Sequence, residues 1–446
     1  MSDFNESSSG RGNTGRDPQE LPPAIFLDPW LTAKGDAIKS LSESIAEEVE
    51  RKISTGMAQR ARRDAIARRR LIVENIVANC AAKALSPHID PDHRIAVATA
   101  KSKPTRYDRK DYPQNLLSAA LQAMEAMGLI VRHPYLFKQR VTTIEPTGFL
   151  LSSMDAYGVR LSDIGRADGA ETIWLNARTG EVDFADHSPI KRRLDYSDTQ
   201  ETNSLRADME RINGFINHAD LRFDGEPQVP IAMRRMFLLR SMGDPHGFNL
   251  NGRLFGAWWQ SLKSDRRHLI TIGGRPICDL DYSGAFIQLL YIRETGRLFE
   301  GEPYLVPGLE EHRDGAKQAM LSLLSRSDHM KRLTPELRGL LPEGWTARRV
   351  VESFSRYHPA IAKHFGGDVG VELMAMESRI MVELLLRLET LGVAGMGLHD
   401  GLQVAESDRE TAMAVMAEVS ERLLGMALPV KEKLVRRPDT LIAAAA

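Results

Sequence analysis

The spacing of apolar positions changes period several times along the chain, and each change marks an element. Residues 33–82 read as helical, with an apolar end at Leu71, Ile72, Ile76 and Val77. Leu116, Leu117, Ala120, Leu121, Met124 and Met127 repeat at helical spacing until Gly128 stops the helix. The run from Leu129 to Leu151 then reads as strand, loop, strand and short helix. Residues 155–200 carry short strands, turns and many acids, and read as a connector. A polar helix from Glu201 leads towards Phe223, and Pro227 and Pro230 end it. His268–Ile272 and Arg275–Asp281 form a strand pair; Tyr282, Ser283 and Gly284 turn the chain, and a helix runs to Leu298. A Gly/Pro-rich loop precedes a helix from Leu309 to Arg326, and residues 327–366 form a helical insertion. Leu373, Met376, Ile380, Met381, Leu384, Leu385 and Leu388 predict a long buried helix. It leads into two apolar runs, within Val393–Ala405, that flank His399-Asp400 as a tight hairpin. A helix over Glu410–Leu424 and a strand over Leu428–Val435 close the pattern. The expected class is α+β: an antiparallel sheet backed by helices, with a helical domain inserted between two carboxylate-bearing strand ends.

Composition narrows the class little. With 446 residues, 42% of them hydrophobic and 27% charged, the chain is long enough for two or three domains. No apolar run approaches the ~20 residues of a membrane span, and the N-terminus lacks the apolar stretch of a signal peptide. Cys80 and Cys278 leave neither a disulfide scaffold nor a zinc cluster, and a cytoplasmic setting is expected. Residues 1–22, rich in Ser, Gly, Asn and Asp, are expected to be disordered.

Charge adds more when read locally. The net charge is −1, yet Arg51–Arg70 holds eight Lys/Arg against Asp64 alone, and Lys101–Lys110 is a second basic stretch. Such a run is either a solvated helix face or a phosphate-binding one. The helix, Gly-Leu-Ile, basic hairpin and Pro-Thr over residues 114–151 resemble a winged helix, against a generic αββ corner. In the winged-helix reading Arg132, Lys138 and Arg140 face phosphates.

The candidate chemistry lies in the second half. Asp281 and Asp400 are each delivered at a strand end of one small sheet. Two such carboxylates could hold divalent metals roughly 3.5–4 Å apart, as in-line phosphoryl transfer requires. Arg313 and Lys317 are four residues apart on a helix and leave the same face, which Leu321 continues. That face is either a solvated stripe, as Glu310, Glu311 and Asp314 suggest, or a triphosphate clamp. Of Trp258 and Trp259, at least one is expected in the core.

Taken together and in order, these motifs resemble the polymerase core of family-A DNA polymerases and the related single-subunit phage RNA polymerases, over roughly residues 230–435. Gly252-Arg253-Leu254 resembles the arginine motif at the primer–template minor groove. Asp281-Tyr282-Ser283 and His399-Asp400 resemble the two metal-binding motifs of the palm. Arg313, Lys317 and Leu321 fit the fingers-helix pattern. A group of compact polymerase-like proteins of bacteria, phages and mobile elements is similar through its GRF/GRL-x3-WWQ stretch, DYSG motif and HDS-like motif.

The resemblance implies a core at 201–446, with palm at 230–298 and 367–436 and fingers at 299–366. A connector at 161–200 and a basic, winged-helix-like region at 23–160 precede it. It implies two Mg²⁺, replaceable by Mn²⁺, held by Asp281, Asp400 and the Tyr282 carbonyl. The triphosphate falls to Arg313 and Lys317, and the primer terminus to His399. Primer–template DNA, dNTPs and other replication proteins are the implied partners, with no membrane. Three positions depart from the pattern. Gly401 stands where an auxiliary acid is usual, Ser325 replaces a fingers tyrosine, and Phe286 stands where a Glu often blocks the ribose 2′-hydroxyl. Phe286 favours dNTPs, because it offers that hydroxyl no partner. No carboxylate pattern of a 3′–5′ exonuclease is found, so proofreading is not expected. The competing readings are a primase or RNA polymerase using rNTPs, and a replication-associated DNA-binding protein with a non-catalytic palm.

Overall fold

Two hydrophobic cores divide the chain. The computed structural model describes residues 23–54, 63–99, 103–135, 141–183 and 189–436. The N-terminal tail expected to be disordered, and Lys138 and Arg140 of the hairpin, lie outside the described residues.

The first core packs the helices Asp36–Ser54, Arg63–Leu85 and Gln114–Ala126 through Leu41, Ile45, Ile72, Ile76, Leu121 and Met124. Beside them lies a sheet in the order Ala24–Phe26, Arg94–Ala96, Thr143–Pro146, Ile130–His133. The helix and antiparallel hairpin expected over 114–146 are present.

The basic stretches need correcting. Arg69 is not on a solvated face: it is buried and pairs with Glu50 at 2.9 Å. Arg63, Arg68 and Arg70 remain exposed. In the second stretch, Arg106 reaches Glu171 at 3.0 Å, the Tyr196 carbonyl and Asp198, and its guanidinium lies 3.7 Å from the Tyr196 ring centre. Arg109 bonds Asp111 at 2.8 Å and the Pro29 carbonyl at 2.7 Å. These two arginines tie chain segments together. Arg132 pairs with Glu125 at 2.9 Å.

The second core holds two sheets. In the larger, the strands run Glu226–Pro227, Leu221–Phe223, Ile270–Ile272, Arg275–Tyr282, Gly401–Ala405, Met396–Leu398, and Val430–Lys433 also pairs with Arg275–Tyr282. Every pair is antiparallel. The smaller has the order Asn251–Phe255, Arg234–Leu239, Ile173–Val182, Pro189–Leu194.

Two of these strands come from the stretch expected to be a connector of short strands and turns, so residues 161–200 also build part of the second core. Ile173, Leu175 and Ala177 are buried in the core and alternate with half-buried Trp174, Asn176 and Arg178. That period-2 alternation was masked by the polar and charged residues on the outer face.

The helical insertion comprises Arg313–Ser325, Pro335–Leu340 and Ala347–Tyr357. Its first helix begins at Arg313 rather than Leu309 and buries Ala316, Ala319, Met320, Leu323 and Leu324. Gly370–Thr390 is the long buried helix expected before the hairpin.

Candidate active site

Asp281 sits near the end of the Arg275–Tyr282 strand, paired with Gly401 of the hairpin. The Tyr282 amide donates to the Asp400 carbonyl at 3.1 Å, which sets the two acidic residues side by side. The hairpin turns through His399 and Asp400 alone, between paired Leu398 and Gly401. His399 takes a left-handed φ of 37°, the sign a primed two-residue turn needs, at a cost of order 1 kcal/mol for a non-glycine residue. Trp259, fully buried, donates its indole N–H to the Gly397 carbonyl at 3.1 Å and pins the hairpin from below. Trp258 packs edge-on against it. Gly397 permits close packing, since a Cβ there would meet Met381 Sδ at 2.9 Å.

The Asp281 side chain is buried. Lys433 holds its Oδ2 at 2.8 Å, and its Oδ1 has no hydrogen-bond partner among the described residues. Burial first, and then the Asp400 charge, push the Asp281 carboxyl upward; Lys433 and Lys317 pull it back. Gly401 explains part of this space. A Cβ at 401 would lie 3.1 Å from the Leu280 carbonyl oxygen and 3.3 Å from Asp281 Oδ1. Gly401 keeps the space beside the unpartnered oxygen bare. At the preceding position on the same face of the strand, Asp279 is already neutralised by Arg267 at 2.6 Å.

Lys317 is exposed on the Arg313–Ser325 helix and its charge reaches Asp281. Arg313 pairs with Glu302 at 3.3 Å and lies 5.3 Å from the Tyr304 ring centre. Leu321, one turn on, packs against the core. Of the three residues of the expected clamp face, Lys317 is the one whose charge acts on Asp281, while Arg313 is turned to Glu302 and Leu321 to the core. Tyr282 sends its own side chain away, donating to the Met416 carbonyl at 2.8 Å.

Arg253 is held by a side chain that the sequence reading missed. Glu377, buried on the Gly370–Thr390 helix, takes its guanidinium in two bonds of 3.1 and 2.8 Å. Burial pushes the Glu377 carboxyl up to about 7; Arg253 pulls it down, and Asp400 and Asp281 push it up. Phe286 is also buried, its ring centre 5.4 Å from the Arg253 guanidinium. His399 is held well below the ordinary imidazole range, to about 4, by burial and then by Arg253, so it is neutral at neutral pH. Its ring meets Phe255 edge-on at 5.5 Å. Tyr304 was missed too: burial and then the Asp400 charge push its hydroxyl up to about 12. Lys433 is the third omission. Glu377 was visible in principle, as an acid one turn after Leu373 and one turn before Ile380 on a buried stripe. Tyr304 and Lys433 carry no comparable signal.

Two carboxylates with a bare, unpaired oxygen between paired strands fit a hard divalent cation, whose preferred donors are oxygens. Among the described residues, no group of three or more His, Cys, Asp and Glu side chains is placed to hold a metal ion. No helix among the described residues is long and apolar enough to cross a membrane.

No family model matches the chain, and no curated protein matches it. Among solved structures, it is similar to the POL domain of Pol1 from M. smegmatis, in complex with DNA primer-template and dNTP. The identity is 12% and the TM-score 0.28, over 90% of this chain and 66% of that one. The chain thus spans just under two thirds of that domain. A TM-score of 0.28 is too low to establish a shared fold.

Proposed function

We propose that the protein is a template-directed nucleotidyltransferase of the family-A type, which extends a primer 3′-hydroxyl with dNTPs and releases pyrophosphate. The observation that carries this is the placement of Asp281, near its strand's end, beside Asp400 in the adjoining hairpin turn, with the buried Asp281 Oδ1 unpartnered and Lys317 acting on the same carboxylate. Asp281, Asp400 and the Tyr282 carbonyl would hold Mg²⁺ or Mn²⁺. Bound there, such ions lower the pKa of an attacking hydroxyl and neutralise a leaving pyrophosphate. Lys317 and Arg313 would take the triphosphate. Arg253 would track the minor groove once it exchanges Glu377 for nucleic acid, and neutral His399 would lie at the primer terminus. In this reading the larger sheet with its helices is the palm and residues 299–366 are the fingers.

A basic sheet face supports a nucleic-acid partner. On the outer side of the smaller sheet, Trp174 lies between the guanidiniums of Arg193 and Arg234, 3.5 and 4.0 Å from its ring. By strand register, Lys191, Arg253 and Phe255 share that face, as does Arg178, whose guanidinium is taken by buried Asp368 in bonds of 2.6 and 3.0 Å. Aromatic rings interleaved with cations suit a phosphate backbone and stacked bases. Joint Lys191→Ala and Arg193→Ala substitution is expected to weaken DNA binding and lower the salt slope of log K by about 1–2, measured by fluorescence anisotropy across a salt series. An unchanged slope would remove this face from the nucleic-acid path.

The test of function is primer extension with dNTPs and rNTPs in parallel. Wild type is expected to prefer dNTPs, and Phe286→Ala to gain rNTP use by about tenfold, since a buried unpaired hydroxyl costs ~1–3 kcal/mol. The burial of Phe286 beneath Arg253 keeps the second reading in play. If wild type uses rNTPs as well as dNTPs, Phe286 is no gate and the primase reading leads.

A further inference from the structure

Lys433 is the one cation paired with Asp281 at salt-bridge distance among the described residues, and the proposed function leaves it without a task. It ends the Val430–Lys433 strand, which lies along the edge of Arg275–Tyr282. Its Cα stands opposite Asp279, yet its ammonium goes to Asp281, because Arg267 already occupies Asp279. The pair is asymmetric: the lysine side chain is 45% exposed and the aspartate side chain 6%. A half-exposed ammonium on a flexible stem can leave for water at little cost, whereas a buried carboxylate beside a like charge keeps its own charge only with a counter-charge beside it.

Resting on the reading of Asp281 and Asp400 as metal ligands, we propose that Lys433 is an internal counter-cation that competes with divalent metal for Asp281. It neutralises Asp281 when metal is absent and is displaced when metal binds, so it lowers the metal affinity of the site. The same contact keeps the Arg275–Tyr282 and Val430–Lys433 strands joined in the metal-free protein.

The test is Mn²⁺ binding by the full chain, followed as loss of the free-ion electron paramagnetic resonance signal, without nucleotide or DNA. Lys433→Gln is expected to tighten Mn²⁺ binding about tenfold, a fold-change in keeping with loss of one half-exposed charge. Lys433→Arg is expected to leave the affinity near that of wild type. In EDTA the Gln variant should melt lower than wild type and gain more from added Mn²⁺. Lys433→Met provides the same test should the Gln variant fold poorly. Unchanged or weaker Mn²⁺ binding by the neutral variants, with wild type binding through Asp281 and Asp400, would overturn the role of Lys433 alone. No Mn²⁺ binding by wild type or variant would overturn the metal reading as well.

Discussion

Asp281→Asn and Asp400→Asn should each abolish nucleotide incorporation, by roughly 10³-fold or more, since the charge stabilisation at stake amounts to several kcal/mol. Both substitutions keep the shape of the side chain, and at Asp281 the charge removed is one that burial and its neighbour both oppose, so the fold should survive. Primer–template binding should change little, because the cations that would meet phosphate lie elsewhere, on the smaller sheet and around Arg253. Single-turnover incorporation and anisotropy on the same preparations separate the two effects. Substantial activity in either variant would mean that the pair is not the reaction centre. Equal loss of binding and incorporation would make the aspartates structural.

The next largest effect is expected at Lys317. Lys317→Ala should lower kcat/KM for the incoming nucleotide about 10²-fold, the scale of removing one pre-positioned donor from a developing charge. Arg313→Ala should cost less, about tenfold, because that side chain is half exposed and shares its charge with Glu302. Lys331→Ala, at an exposed position beyond the helix, should be neutral. Indistinguishable kinetics for the three variants would show that Arg313 and Lys317 form only a solvated stripe.

The sequence was most readable where a period was long or a turn was short. The buried stripe of Gly370–Thr390 and the two-residue turn at His399-Asp400 could both be placed from the chain alone. The strand Ile173–Val182 could not, because Asn and Arg on its outer face diluted the alternation of Ile173, Leu175 and Ala177. Charge was the least legible property. Arg69, Arg106 and Arg109 look like phosphate contacts along the bare chain, but each meets an acid or carbonyl from a distant or neighbouring segment. The candidate site shows the same limit. The two aspartates and the Arg313–Lys317 face were proposed from spacing, and Glu377 could have been flagged as an acid on a buried stripe, whereas Lys433 and Tyr304 reach the site through tertiary packing that no local pattern encodes.

The central claim, that Asp281 and Asp400 jointly hold divalent metal, is tested most directly by anomalous scattering from Mn²⁺ in crystals grown with primer–template and a non-hydrolysable nucleotide. Two peaks roughly 3.5–4 Å apart, both within coordination distance of these carboxylates, are the predicted result. An ordered ternary complex with no Mn²⁺ peak at Asp281 or Asp400 would contradict it.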